Sequence, residues 1–345
     1  MENNTVTQKT INERNKRNGG VELLRILCMF GFVCLHVIGY SSIAPFGSAE
    51  VKSKFLLHLR YVLNIGVDVF AFISGFYGIK FSIRKVFILL YIGVFSSICV
   101  FLAEIFFFDV EFKIISLVQI FLNNWYFREY LILFLLVPFF NSFFDNIQKE
   151  QIKKIILPLG ILFIWNFLST QFPSSFGQSA SLGSHSAILL LSIYLLGRVL
   201  QKLEFLEKLN TYFLILLFLI CLPILFCFSR LKDFSSPFCI IAAICIFELF
   251  RRIRIPIFIS KFVWFLSPSM LGVLLLHNAG SHQISGGLVH RYFDKCSEEL
   301  LGMDFMKYSI IIFSGAIIID LLRRFIMFII SKIKEAILDV RKSEE

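Results

Sequence analysis

An arginine and a histidine stand eleven residues apart in an otherwise apolar stretch near the start of the chain. The run reads Asn18-Gly19-Gly20-Val21-Glu22-Leu23-Leu24-Arg25, then ten mostly apolar residues, then His36. At about 100° and 1.5 Å per residue, a helix through this stretch brings Arg25 and His36 to within roughly 20° of one face, about 16 Å apart along its axis. A guanidinium holds anions by charge and by paired N–H donors. An imidazole can take a proton from a hydroxyl near neutral pH. Ionisable groups in hydrocarbon are costly, and where they occur they mark a path or a reaction site.

Three further stretches place polar groups at membrane depth. In Asn64-Ile65-Gly66-Val67-Asp68-Val69-Phe70-Ala71-Phe72-Ile73-Ser74-Gly75-Phe76, Asp68 falls near the middle of a second span, at about the depth of His36. Two readings of Asp68 stand: a residue that ties helices together, or a carboxylate that pairs with His36, fixing its tautomer and raising its basicity. Gly75 shares the Asp68 face and leaves room for another helix or a thin ligand. Asn123-Asn124-Trp125-Tyr126-Phe127-Arg128-Glu129-Tyr130 opens a fourth span. Arg128 and Glu129 point about 100° apart, need not pair with one another, and can face an outward-opening cavity. Trp125 and Tyr126 equally suit an interfacial belt. A ninth span ends Leu276-His277-Asn278, where His277 is either an interface residue or part of a site. His58, Arg60, His282 and His290 fall near the outer surface and are expected to be solvated.

The elements that must position these groups follow from composition. Of 345 residues, 57% are apolar and 43 are Phe, far outside soluble usage. Apolar runs near 20 residues recur from end to end, so the fold class is all-α, a polytopic transmembrane helical bundle. Ten spans are expected, at about 21–41, 56–79, 85–106, 122–143, 153–170, 184–201, 210–229, 235–251, 262–281 and 306–330. Basic residues concentrate on one side (Arg84-Lys85, Lys153-Lys154, Arg251-Arg252 with Arg254, Arg323-Arg324), which puts both termini in the cytoplasm. The expected division is a cytoplasmic tail 1–20, a membrane domain 21–332 and a cytoplasmic tail 333–345. The first apolar stretch keeps Glu22, Arg25 and His36 and shows no small-residue cleavage site, so it reads as a retained span. The net charge of +10 is explained by this sidedness, so no nucleic-acid partner is implied. Seven of eight cysteines fall in spans, with Cys296 outside them, and no CxxC occurs. Neither a disulfide framework nor a metal site is suggested.

Glu22-x-Leu-Arg25-x10-His36 resembles the opening motif of the membrane-bound acyltransferase family 3. Val67-Asp68-x-Phe70-x-Phe72-Ile73-Ser74-Gly75-Phe76 is similar to that family's second signature. Asn124-Trp125-Tyr126 with Tyr130 and Pro138 resembles its Trp-Tyr segment, and Leu276-His277 its late histidine. The resemblance runs over essentially the whole chain. It implies an O-acetyltransferase, or a succinyl relative, of a bacterial plasma membrane. Such an enzyme moves an acyl group from cytoplasmic acyl-CoA onto a hydroxyl of a surface carbohydrate. It needs no resident cofactor, since acyl-CoA is a co-substrate. By the same analogy His36 is catalytic, and Arg25 with the Arg84-Lys85 loop serves the donor.

The geometry is compatible with that chemistry. The charged CoA head must stay near water, where Arg25, Arg84 and Lys85 fall. The roughly 16 Å rise to His36 suits a pantetheine arm. Glu22, Ser74 and Gly75 join the donor side, with Ser74 or a backbone group as candidate oxyanion donor. Trp125, Tyr126, Arg128, Glu129 and His277 are assigned to the acceptor. Direct attack by a sugar hydroxyl, with Asp68 orienting His36, and an acyl-histidine relay both remain open. The competing class is a non-enzymatic exporter or flippase of lipid-linked sugar, which would also need buried charge.

Overall fold

A computed structural model describes residues 18–40, 50–108, 111, 113–172, 185–228, 231, 233–278, 280 and 304–344. Expectations for residues 1–17, the loop at 173–183, Gly286-Gly287, His282, His290 and Cys296 lie outside the described residues.

Among the described residues the protein is helical and has no strand. The helices are α1 (Gly19–Tyr40), α2 (Glu50–Leu63), α3 (Ile65–Tyr77), α4 (Ile83–Phe108), α5 (Ile114–Asn123), α6 (Trp125–Asn146) and α7 (Lys149–Gln171). They continue with α8 (Ala187–Lys202), α9 (Thr211–Cys227), α10 (Pro237–Arg252), α11 (Ile257–Leu266), α12 (Met270–Asn278) and α13 (Asp304–Glu344). By length and composition, six stretches can cross a membrane: Gly19–Gly39, Phe55–Tyr77, Ile83–Phe108, Trp125–Asn146, Lys149–Gln171 and Ile257–Asn278. Large apolar side chains such as Phe106, Leu157 and Phe139 stand more than two-thirds exposed, as a lipid-facing surface requires.

Several expected spans are subdivided. The second breaks between α2 and α3 at Asn64, whose N–H donates to the Tyr61 carbonyl three residues back, a tightened last turn. The fourth starts at Trp125 because Asn124 is extended and its side chain caps the Phe127 N–H at 3.1 Å. The ninth is interrupted by a 3-10 turn, Ser267–Ser269, around Pro268, which has no N–H to donate. The expected tail 333–345 is helical as far as Glu344.

Where one membrane domain is expected, the described helices cluster into two compact units. The first is Met1–Met29, Tyr61–Ile79 and Phe139–Pro268; the second is Phe30–Arg60, Lys80–Pro138 and Ser269–Glu345.

In the first unit α3 packs on α8 and α10, α9 on α10, and α7 on α8. The α3–α8 crossing is made by two glycines. A methyl group at Gly75 would collide with the Tyr194 backbone, and one at Gly197 would come within 2.7 Å of the Phe76 nitrogen. Without side chains there, the backbones approach closely, which is how helices gain packing energy in lipid. Gly78 ends α3 with φ of +70° and returns its N–H to the Gly75 carbonyl at 3.1 Å. The next residue is pinned by Asn141, which donates to the Ile79 carbonyl at 2.7 Å and accepts from the Tyr194 hydroxyl at 2.7 Å.

In the second unit α12 packs on α4 and α13, and α5 on α4. Ile92, Phe127 and Leu275 form a buried apolar cluster there. Gly272 of α12 lies against the Asp320 carboxylate of α13, which is held by Arg323 at 2.7 Å.

Candidate functional site

In the second unit the Nδ1 of His36 lies 2.9 Å from the Nε2 of His277. The first histidine is half-buried on α1, and the second is 2% exposed on α12. The Nδ1 of His277 is 2.6 Å from the Val273 carbonyl, one helical turn earlier. A carbonyl only accepts, so this Nδ1 carries the proton and, in the neutral ring, Nε2 offers a lone pair. The Nδ1–H of His36 therefore donates to it. That places the remaining lone pair of the neutral His36 ring on Nε2, the nitrogen a general base uses.

The expected holder of this ring is Asp68; in the structure His277 takes its Nδ1. Asp68 is fully buried in α3, near Cys239 of α10 and Asp233, and neither of its carboxylate oxygens has a hydrogen-bond partner among the described residues. Arg60, expected to be solvated, instead lies on Gly39, where a methyl group would sit 2.8 Å from its guanidinium carbon. It is a charged neighbour of the His36 ring. Gly39 leaves the space that this planar group fills.

The residues that the sequence assigns to an acceptor also fall in the second unit. Asn123 donates to the Gly280 carbonyl at 2.9 Å, so the end of α5 meets the chain leaving α12 three residues after His277. Trp125 and Tyr126 pack edge to face at 5.5 Å, and Tyr126 stacks on Tyr130 at 6.1 Å. Such an aromatic face suits the apolar side of a sugar ring. Arg128 and Glu129, which need not pair given their 100° offset, do so at 2.9 Å. The long arginine side chain bends back along the helix because the nearly buried Glu129 carboxylate needs a cation. Glu104, fully buried on α4, was not singled out from the sequence, although it is the one acid in that 26-residue helix. Arg84 and Lys85 are exposed in the first turn of α4, and the Lys85 ammonium donates to the Lys80 carbonyl at 2.6 Å.

In the first unit the N-terminus of α1 docks on the end of α10. Asn18 caps the Val21 N–H at 3.2 Å and donates to the Arg251 carbonyl at 2.8 Å. Gly20 lies directly on the Phe250 backbone. Glu22 and Arg25 pair at 3.7 Å, and the Tyr77 phenol sits in the field of both, together with Arg251 and Glu248. The expected inner cluster Arg251-Arg252 is a structural fork. Both guanidiniums grip the fully buried Glu248 at 2.7 Å, and Arg252 also bonds the Leu206 and Leu209 carbonyls. Arg25 thus sits at a polar, partly open pole with a guanidinium only loosely held. Ser74 donates to the Phe70 carbonyl of its own helix at 2.9 Å, and the Gly75 face is filled by α8.

Six stretches long and apolar enough to cross a membrane, with a histidine couple held between two of the helices, describe a multi-pass membrane protein. The acyltransferase domain model of acyltransferase family 3 matches residues 18–326, and the chain belongs to this family of membrane acyltransferases. No curated protein and no solved structure is significantly similar to it.

Proposed function

We propose that this protein transfers an acetyl or succinyl group from cytoplasmic acyl-CoA to a hydroxyl of a bacterial cell-surface polysaccharide or its lipid-linked precursor. It does so in the plasma membrane, through ten spans with both termini in the cytoplasm. The observation that carries the reading is the His36–His277 couple, whose His36 stands on the helix that also carries Arg25.

In this reading Arg25, with Arg84 and Lys85, holds the phosphates of the donor. Glu22 lies 3.7 Å from the Arg25 guanidinium and balances its charge. The acyl thioester lies beside His36, and the acceptor sugar rests on Trp125, Tyr126 and Tyr130. Nε2 of His36 takes the proton from the sugar hydroxyl, and the oxygen attacks the thioester carbon. The C–S bond breaks, and the imidazolium returns its proton to the departing thiolate, leaving the ester and free CoA. His277 keeps His36 in the correct tautomer and accepts its Nδ1–H as charge develops on the ring. No group is assigned to the oxyanion.

The test is membranes carrying the protein, given acetyl-CoA labelled in the acetyl group. Label in surface carbohydrate that depends on His36 supports transfer. Sugar crossing sealed vesicles without label would replace the reading with a carrier. Mass analysis of the glycan identifies the acyl group and the acceptor.

A further inference from the structure

The first unit contains an apolar cavity of about 480 Å3 among α7, α8 and α10, which the acyl-transfer chemistry does not use. It runs from Ile156 near the start of α7 to Phe167 near its end, eleven residues or about 16 Å of helix. Ser235 is the one polar residue in its wall. Gly160 lies midway, and nothing occupies the space within 4 Å of where its side chain would be. Ile156 and Ile164, both in the wall, are at least half exposed, so the cavity is a cleft that opens along the helix flank. The α7 stretch is one of the six long and apolar enough to cross a membrane.

Two features identify the occupant. A dry cleft of this length, open sideways in a bilayer, takes hydrocarbon. One end of it carries positive charge. Lys153 lies on the stripe of α7 that continues as Ile156, Gly160, Phe163 and Phe167, and Lys202 of α8 adjoins Leu203 in the wall at the same end. Among the described residues no carboxylate pairs with either lysine. Nearby Lys149 and Arg198 are already taken by Glu204 and Asp145.

We propose that this cleft is a binding site for one hydrocarbon chain of an anionic glycerophospholipid, with its phosphate head at Lys153 and Lys202. The lipid completes the packing of α7 against α8 and α10. The volume suits a single chain of ordinary length and not the much longer tail of a polyprenyl carrier.

The full-length protein, purified in mild detergent, is analysed by native mass spectrometry after exchange against equimolar phosphatidylglycerol and phosphatidylcholine. The expected result is one retained phosphatidylglycerol per chain. Gly160→Phe fills the cleft and should remove the retained lipid. Lys153→Gln leaves the cleft intact and should lower the preference for phosphatidylglycerol about fivefold, the effect of one cation at an anionic surface. Equal retention of both lipids, unchanged occupancy in Gly160→Phe, or retention of a polyprenyl phosphate would each overturn the proposal. None of these readouts depends on transferase activity.

Discussion

His36 and His277 are 241 positions apart in the chain, and their ring nitrogens lie 2.9 Å from each other. The Val273 carbonyl fixes the tautomer of His277, and His277 in turn fixes that of His36. The Val273 carbonyl can only accept, and the neutral His277 ring with its proton on Nδ1 then has only an acceptor at Nε2, as in the relays that orient catalytic imidazoles elsewhere.

His36→Ala removes the proposed base. Transfer should fall by about 10²–10⁴-fold. The protein should still insert and run as a single species in detergent, because a half-buried imidazole is a small part of the packing. Labelled-acetyl incorporation per mole of folded protein is the measurement, and full activity would end the assignment.

His277→Leu takes away the acceptor for the His36 Nδ1–H and frees the ring to adopt the wrong tautomer. Turnover is expected to drop by about 10–100-fold, the scale of losing an orienting partner. His277→Gln, which supplies a side-chain carbonyl, should recover part of it. The KM for acyl-CoA should not move in either variant, whereas general misfolding would depress folded yield in both.

Arg25→Ala should raise the KM for acyl-CoA by about 10–100-fold, as expected when a charge-assisted phosphate contact is lost. Affinity for the acceptor should stay as it is. An unchanged donor KM would remove Arg25 from the donor site.

Gly75→Leu and Gly197→Leu drive a side chain into the facing backbone across the α3–α8 crossing. Each should destabilise by about 1–3 kcal/mol or more, because backbone cannot move aside as a side chain can. Thermal unfolding in detergent checks this. A normal melting temperature with a raised donor KM would instead point to a ligand on the Gly75 face.

Glu248→Gln strips the shared counter-charge from Arg251 and Arg252 at the end of α10. A loss of about 1.5–3 kcal/mol is expected for hydrogen bonds to charged groups. Addition of Arg252→Gln to Glu248→Gln should cost less than the sum of the single changes, which a double-mutant cycle would show.

The helical, membrane-crossing character of the chain was legible in its apolar runs, and so was the shared face of Arg25 and His36. Both are properties of one helix, set by composition and by a period of 3.6 residues. Breaks inside the expected spans at Asn64, Asn124 and Pro268 were missed because hydropathy averages across a turn that remains apolar on both sides.

The partners were settled only in three dimensions. Asp68 looked as good a companion for His36 as any residue at that depth, yet the ring meets His277. Arg128 folds back onto Glu129, Arg60 settles on Gly39, and the Arg251-Arg252 pair closes on Glu248. A sequence fixes which face of each helix is polar, but lipid gives no hydrophobic force to say which helices adjoin. That choice is made by shape, by where glycines such as Gly75 and Gly197 let backbones close together, and by which buried charge then finds a counterpart.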